Sequence, residues 1–248
     1  MAQSERGANR VFELMRTARR FALDRVPSWR VWTKRFVREW ALTVVLGVVA
    51  LLACAKLGED VFSHETGSFD EAIQSWIADH QSPPLYFFFL AITYLGSVGV
   101  MIGIAIVAAL WLWRRRGRQV GAAALIAPAA AITLFQLVKQ LFARARPPVV
   151  GHLLLGTYAF PSGHATASTA VCCTLAYVFW REGFISRRLA IWVATLPPFL
   201  VGVSRVYLDV HWATDVLGGW SLGLLVAVLG AALYDRNRRR EAKEATGS

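Results

Sequence analysis

The sequence predicts an all-α fold: a polytopic membrane bundle of six transmembrane helices, with an additional amphipathic or re-entrant helical segment on its outer side. Three observations predict it. Hydrophobic residues make up 56% of the 248 residues and charged residues only 17%. Uncharged apolar runs recur at lengths near the ~20 residues that a helix needs to cross a bilayer. Positive charge is concentrated in alternate connecting segments, as in membrane proteins. So much apolar surface also excludes a disordered chain.

Single apolar runs, each bounded by polar residues, predict five of the crossings. They are residues 40–55, 119–138, 165–180, 189–204 and 216–234. A longer run, 81–113, is too long for one straight crossing, and the segment Gly96 to Gly99 is its natural break. We therefore expect a short partial helix over 85–95 and the remaining span over 97–113.

The first 39 residues form a basic segment with ten Lys and Arg residues, far longer than the basic part of a signal peptide. Its apolar residues recur at helical spacing, which predicts an amphipathic helix on the inner membrane surface. These residues are Val11, Leu14, Met15, Ala18, Phe21 and Ala22. The alternative is a basic arm that only sets topology. We thus expect three parts: the basic cytoplasmic segment 1–39, a membrane domain 40–234 and a basic cytoplasmic tail 235–248.

The positive charge follows the predicted topology. The segments 1–39, 114–118, 181–188 and 235–248 hold 22 of the 27 Lys and Arg residues. They are the alternate connections, so both termini are expected in the cytoplasm. The net charge of +11 is therefore explained by the bilayer, and no nucleic-acid partner is expected. The cations that fall elsewhere are Lys56, Lys139, Arg144, Arg146 and Arg205.

Residues 58–82, on the predicted outer side, are acidic and contain a helical pattern. Phe69, Ile73, Trp76 and Ile77 fall on one face of that helix. We expect an amphipathic helix at the outer interface, which either caps the bundle or borders a lateral route for a lipid.

Polar residues gather at the outer ends of four predicted spans, where ionisable groups are costly and usually functional. Three cations, Lys139, Arg146 and Arg205, can neutralise a doubly charged anion. Ser162 and Gly163 precede an apolar helix, so free backbone N–H groups there can hold phosphate oxygens. Arg144, taken alone, is interpreted as a cation at a helix end that reaches towards water.

His211 and Asp215 are four residues apart, so the carboxylate can orient the imidazole and leave its other nitrogen free to attack. His164 supplies a second imidazole that can donate a proton to a leaving oxygen. No His, Cys or carboxylate set has metal-ligand spacing, so we expect neither a metal nor another cofactor.

At these residues the sequence closely resembles the type 2 phosphatidic acid phosphatase family, whose fold is shared with the vanadium haloperoxidases. The three motifs are Lys139 to Pro147, Pro161 to His164, and Ser204 to Asp215. The resemblance implies that His211 is the nucleophile, Asp215 its partner and His164 the general acid. It also implies that the phosphate is bound by Lys139, Arg146, Ser162, Gly163 and Arg205. The third motif departs from common family sequences, with Asp209 in place of a frequent Gly and Ala213 in place of a frequent Pro.

The predicted spans exclude a soluble haloperoxidase-like enzyme. The resemblance then implies a metal-independent phosphatase of the bacterial plasma membrane, acting at the outer face on a lipid phosphate monoester or diphosphate through a phosphohistidine. Expected substrates are undecaprenyl diphosphate, phosphatidylglycerol phosphate, phosphatidate or a lipid A phosphate. A lipid phosphotransferase using the same intermediate and a non-catalytic lipid binder or transporter are the alternatives.

Overall fold

The computed structural model describes residues 29–148 and 158–246, and every regular element in these ranges is an α-helix. In chain order the helices are α1 Trp29–Phe62, α2 Gly67–Asp79, α3 Pro83–Leu95, α4 Val98–Arg116, α5 Arg118–Phe142, α6 Gly163–Arg181, α7 Arg187–Tyr207 and α8 Ala213–Thr246. The all-α prediction is confirmed for this part of the chain. The predicted amphipathic stretch Val11 to Ala22 lies outside the described residues. The chain divides into two units at Val44 and Val45, and the helices after α1 belong to the second unit.

Four of the described helices are long and apolar enough to cross a membrane. They are α4, α5, α7 and the part of α8 from Ala213 to Glu241. Each coincides closely with one predicted span. The short helix α3 ends just before the predicted break, and the side chain of Ser97 caps α4 by accepting a hydrogen bond from the Val100 N–H at 3.4 Å. The remaining predicted spans, 40–55 and 165–180, lie within α1 and α6, so the count of six stays a prediction.

Helix α6 occupies the centre of the second unit, where it packs against α4, α5, α7 and α8. Most of its residues are buried, and Ala, Ser and Thr predominate among them. Because α6 is surrounded by other helices, it requires no strongly apolar surface. This fits its absence from the four described helices that are long and apolar enough to cross a membrane.

The backbones of α6 and α8 approach closely through two glycines of α8. A Cβ atom at Gly219 would lie 2.7 Å from the Ser162 carbonyl oxygen, and one at Gly223 would lie 2.6 Å from that of Thr166. Small residues permit this close approach between membrane helices. The contact fixes the position of the α6 N-terminus along the helix axis, relative to the first turn of α8.

The two ends of the central helix carry different polar groups. At its C-terminal end, Glu182 pairs with Arg116 at 3.2 Å and with Arg238 at 3.4 Å, and it accepts a hydrogen bond from the Tyr234 hydroxyl. At its N-terminal end lie the residues of the three motifs. The ion pairs around Glu182 join α4, α6 and α8 at the end opposite those motifs.

Helix α2 lies within the predicted outer segment, and its apolar residues differ in how far they are buried in the protein. Phe69 is 50% exposed and Trp76 is 61% exposed, whereas Asp70 is 1% exposed and Ile77 is 8% exposed. Of the four apolar residues predicted to share one helical face, Ile77 is buried in the protein, whereas Phe69 and Trp76 are exposed on its surface. Asp70 faces inward because it has polar partners inside the protein.

Candidate active site

The candidate site residues come from the ends of four helices and from the loops beside them. Lys139 lies in the last turn of α5 and Arg146 in the loop that follows. Ser162, Gly163 and His164 form the start of α6, and Arg205 lies in the last turn of α7. His211 lies in the loop between α7 and α8, and Asp215 in the first turn of α8. Hydrogen bonds and ion pairs between these elements bring the motifs together.

His211 and Asp215 form the central pair of the site. The His211 Nδ1 atom lies 3.2 Å from the Asp215 Oδ2 atom, which also accepts a hydrogen bond from the Trp212 N–H at 3.0 Å. His211 is 2% exposed and Asp215 is fully buried. His211 precedes the first residue of α8, so the two side chains meet across the helix start instead of along one helical face. Nδ1 is occupied by the carboxylate, which leaves Nε2 for another ligand.

The environment of His211 favours the neutral imidazole. Burial lowers the pKa of His211 well below its ordinary value, and the cationic side chains of Arg146, Arg205 and Lys139 lower this pKa further. A neutral ring that carries its proton on Nδ1, towards Asp215, has a lone pair on Nε2. That atom lies 3.3 Å from the Arg146 guanidinium.

Two of the cations contact the same backbone carbonyl oxygen. Lys139 donates a hydrogen bond through Nζ to the Tyr158 carbonyl oxygen, and Arg146 NH2 lies 3.5 Å from the same oxygen. Arg146 also donates to the Val210 carbonyl oxygen at 2.6 Å. These bonds hold both cations beside the loop that carries His211.

Arg205 approaches from α7 and is anchored to α3. Its NH1 donates to the Thr93 hydroxyl at 2.7 Å, and both side chains are buried. Among the described residues, Arg205 Nε is a buried donor without a hydrogen-bond partner, and the buried Ser162 hydroxyl lacks one too. Buried polar groups are normally satisfied, so both atoms have unused capacity to bind the oxygen atoms of a ligand.

The start of α6 is bound directly to the start of α8. The Ser162 N–H donates to the Asp215 carbonyl oxygen at 2.9 Å. A Cβ atom at Gly163 would lie 2.9 Å from the Phe135 ring, so the helix begins against α5. The free N–H groups of this helix start suit an anion. His164 is partly exposed, and its ring makes no hydrogen bond to the described residues.

Sequence reasoning missed a second set of residues behind Asp215. The Arg144 guanidinium lies 2.7 Å from Asp215 Oδ1 and 2.7 Å from Asp70 Oδ2. The interpretation of Arg144 as a cation reaching towards water is therefore wrong. The position of Asp70 was the available signal, because a carboxylate that shares a helical face with Ile73 and Ile77 needs a buried partner.

The backbone at Asp209 explains the residue preference at this position. Asp209 has a φ of 57°, in the left-handed region that favours Gly and tolerates Asp. The departure from the family's frequent Gly is thus compatible with the same loop shape. Burial raises the pKa of the Asp209 carboxyl.

Within the described ranges, no three His, Cys, Asp or Glu side chains come together as metal ligands. Lys139, Arg146 and Arg205 are the predicted phosphate-binding cations, and Lys139 and Arg146 lie beside the loop that carries His211. Preorganised cations of this kind can stabilise the charge that develops in phosphoryl transfer.

Known proteins share both the sequence and the fold. Residues 120–239 match the PAP2 superfamily. The chain is 29% identical to phosphatidylglycerophosphatase B of Bacillus subtilis over 190 residues, which are 75% of this chain and 94% of that protein. It is 30% identical to decaprenylphosphoryl-5-phosphoribose phosphatase of Mycobacterium tuberculosis over 179 residues, covering 68% of this chain and 92% of the relative.

A solved structure extends the similarity to three dimensions. The crystal structure of a transmembrane PAP2 type phosphatidylglycerolphosphate phosphatase from Bacillus subtilis superposes with a TM-score of 0.72 at 28% sequence identity. The match covers 77% of this chain and 96% of that one. The resemblance seen in the three motifs therefore extends over most of the chain, and the protein belongs to the PAP2 superfamily of type 2 phosphatidic acid phosphatases.

Proposed function

We propose that this protein is an integral-membrane lipid phosphatase that hydrolyses a phosphate monoester or diphosphate through a phosphohistidine on His211. One observation carries the proposal. The Nδ1 atom of His211 is held by Asp215, so its Nε2 atom is presented to the cations at 3.3 Å from Arg146. An attacking nitrogen beside fixed positive charge is the arrangement that phosphoryl transfer requires.

The reaction has two balanced steps. In the first, the Nε2 lone pair of His211 attacks phosphorus, an N–P bond forms and the P–O bond to the lipid breaks. His164, which takes up a proton when the anionic phosphate binds among the cations, donates that proton to the leaving oxygen. In the second, water attacks phosphorus, the N–P bond breaks and the proton of the water returns to His164. Lys139, Arg146 and Arg205 bind the phosphate oxygens in both steps, together with Ser162 and the N–H of Gly163.

A lipid substrate is supported by the apolar helices and by the relatives. Four helices are long and apolar enough to span a bilayer. Similar proteins include a phosphatidylglycerophosphatase, an undecaprenyl-diphosphatase and lipid A 1-phosphatases. We therefore propose a membrane lipid whose phosphate head group reaches the helix ends that carry the motifs.

We further propose six spans, with the additional crossings in α1 and α6, cytoplasmic termini and the site at the outer face. The distribution of Lys and Arg over alternate segments supports this topology. Single cysteines test it in a variant in which Cys54, Cys172 and Cys173 are replaced. In spheroplasts, a membrane-impermeant maleimide should label Ser63→Cys directly and Arg187→Cys only after permeabilisation. The reverse pattern would contradict the orientation.

The function is tested with purified full-length protein in detergent and a metal chelator. Phosphate release is measured from undecaprenyl diphosphate, phosphatidylglycerol phosphate, phosphatidate and a lipid A phosphate. The wild type should release phosphate from at least one, and vanadate, a pentacoordinate phosphate mimic, should inhibit it. His211→Ala should abolish release, while the matched control His80→Ala, an exposed histidine on the outer segment, should retain it.

Two outcomes would favour the other classes of function. Transfer of phosphate to an added lipid hydroxyl, in excess of free phosphate, would indicate a phosphotransferase that uses the same intermediate. Lipid binding or transport that survives His211→Ala, with no phosphate released by the wild type, would indicate a non-catalytic role and contradict the proposal.

A further inference from the structure

We propose that Arg144 and Asp70 are positioning residues of the reaction, which fix Asp215 and, through it, the ring of His211. The inference rests on the proposed function of the site. It assigns a role to helix α2. From the sequence, this outer helix was expected only to cap the bundle or to border a lateral route for a lipid. The inference also separates the roles of Arg144 and Arg146, which are two residues apart.

The two oxygens of the Asp215 carboxylate have separate partners. Oδ2 faces His211 Nδ1 at 3.2 Å and accepts the Trp212 N–H at 3.0 Å. Oδ1 accepts a hydrogen bond from Arg144 NH1 at 2.7 Å. Because each oxygen is bound, the carboxylate cannot rotate without breaking a charge-assisted hydrogen bond. The direction of the His211 ring therefore depends on Arg144.

Arg144 is held in turn by α2 and by Thr66, the residue just before that helix. Its NH2 donates to Asp70 Oδ2 at 2.7 Å and to the Thr66 hydroxyl at 2.8 Å. The guanidinium thus lies between two buried carboxylates, those of Asp70 and Asp215. A planar guanidinium can bridge them with fixed geometry, which a lysine ammonium cannot do.

Asp70 also binds the first turn of α8 directly. Its Oδ1 accepts the Thr214 N–H at 3.0 Å, and its Oδ2 accepts the Thr214 hydroxyl at 2.6 Å. The first N–H groups of a helix have no partner within the helix. Asp70 therefore caps α8 from another helix and holds the turn that contains Asp215.

The pairing with Asp70 also keeps Arg144 away from the phosphate. Two arginines in one short loop could both bind an anion, and Arg146 already lies 3.3 Å from His211 Nε2. With Asp70 and Asp215 as its partners, Arg144 is directed to the carboxylate side of His211. Arg146 remains on the side where the phosphorus is attacked. Because of Asp70, Arg144 holds the Asp215 carboxylate and Arg146 is left to bind the phosphate.

Kinetics of full-length Asp70→Asn, Arg144→Lys and Arg144→Gln variants test the inference, with the lipid phosphate that the wild type hydrolyses and with a chelator present. We expect kcat to fall by about 10- to 100-fold, by analogy with the loss seen when a group that orients a metal-binding histidine is removed. KM should change by less than about threefold, because none of these residues contacts the phosphate. Arg144→Lys should retain more activity than Arg144→Gln.

A double variant shows whether Arg144 acts through Asp215. If it does, Asp215→Asn combined with Arg144→Gln should have a kcat within about threefold of Asp215→Asn alone. Losses that multiply in the double variant, a raised KM with unchanged kcat, or an unchanged kcat in Asp70→Asn would each overturn the inference. Arg181→Gln, which removes the 3.2 Å ion pair with Asp235 at the opposite end of α6, is the matched control and should retain wild-type kcat.

The same assays distinguish a failure of this inference from a failure of the proposed function. An inactive wild type would contradict the proposed function, whereas an active wild type with equally active Asp70→Asn and Arg144→Lys variants would contradict only the positioning role. Thermal unfolding and gel filtration in detergent identify variants that fail to fold. The near-isosteric Asp70→Asn and the charge-preserving Arg144→Lys keep the test decisive if Arg144→Gln does not fold.

Discussion

Asp215 holds His211 across the start of α8, with 3.2 Å between Oδ2 and Nδ1, and both side chains are buried. The pair determines which ring nitrogen faces the cations. The conformation of the loop after α7 therefore decides which nitrogen of His211 is available for the proposed attack on phosphorus.

Asp215→Asn should lower kcat by about 10³-fold or more with little change in KM, because an amide can stabilise the wrong tautomer of the imidazole. Initial rates of phosphate release over a range of lipid concentrations measure both constants. Asp235→Asn, which alters a carboxylate in the second half of α8, far from the site, serves as the control and should retain wild-type kcat. An Asp215→Asn protein with more than about a tenth of wild-type kcat would refute this role.

Thr93→Val should lower kcat/KM by about tenfold. The substitution removes the hydroxyl that accepts the Arg205 NH1 hydrogen bond at 2.7 Å, and a bond to a charged group contributes about 1.5 kcal/mol. Thr133→Val is the matched control, because Thr133 is exposed and bonds only to the Ala129 carbonyl oxygen of its own helix. Equal kcat/KM values for the two variants would show that α3 does not position Arg205.

Gly223→Ala should destabilise the protein by about 1–3 kcal/mol, because the new methyl group would lie 2.6 Å from the Thr166 carbonyl oxygen. Gly103→Ala adds the same methyl where no atom lies within 4 Å, and it should be neutral or stabilising by about 0.5–1 kcal/mol. The apparent melting temperatures of the two variants are compared with that of the wild type in the same detergent. A Gly223→Ala protein as stable as Gly103→Ala would contradict the close packing of α6 against α8.

The stability of the protein should decrease in acid partly because of His211. The folded-state pKa of His211 lies well below the ordinary value of 6.5. Below pH 6.5 the unfolded chain therefore binds a proton that the folded protein excludes. The stability that this residue contributes is present above pH 6.5 and is lost below it, by up to about 1.4 kcal/mol per pH unit.

Melting temperatures at pH 7.5 and pH 5.5 measure this effect. The difference between the two should be larger for the wild type than for His211→Gln, in which the group that titrates is absent. The four other histidines are common to both proteins, so their contributions cancel. The same pH dependence in both would indicate that His211 titrates normally in the folded state.

Hydropathy and charge were sufficient to predict the helices and the break at Gly96 and Ser97, since both features depend on local sequence. The same patterns do not determine how a helix is rotated in the bundle. The apolar residues of α2 share one helical face in the sequence, yet Ile77 is buried in the protein while Phe69 and Trp76 are exposed on its surface. The buried partner of Asp70 is far away in sequence, and the pattern of α2 alone does not contain it.

The proposed site residues could be predicted because each motif places its polar groups at a helix end, where the topology gathers them. Arg144 was misinterpreted for the same reason, since a lone cation at a helix end usually reaches towards water. Only its two carboxylate partners, Asp70 and Asp215, distinguish it from such a cation, and they come from different parts of the chain. Residues that act through a second side chain require the three-dimensional structure.

The position of His211 between the last two helices has a consequence for biosynthesis. Lys139, Arg146 and the start of α6 are made before His211, the proposed nucleophile, and Asp215 is made after it as part of α8. Under the proposed mechanism, a growing chain therefore holds two of the phosphate-binding cations before it holds the group that attacks phosphorus. Hydrolysis then begins only when α8 has docked against α6.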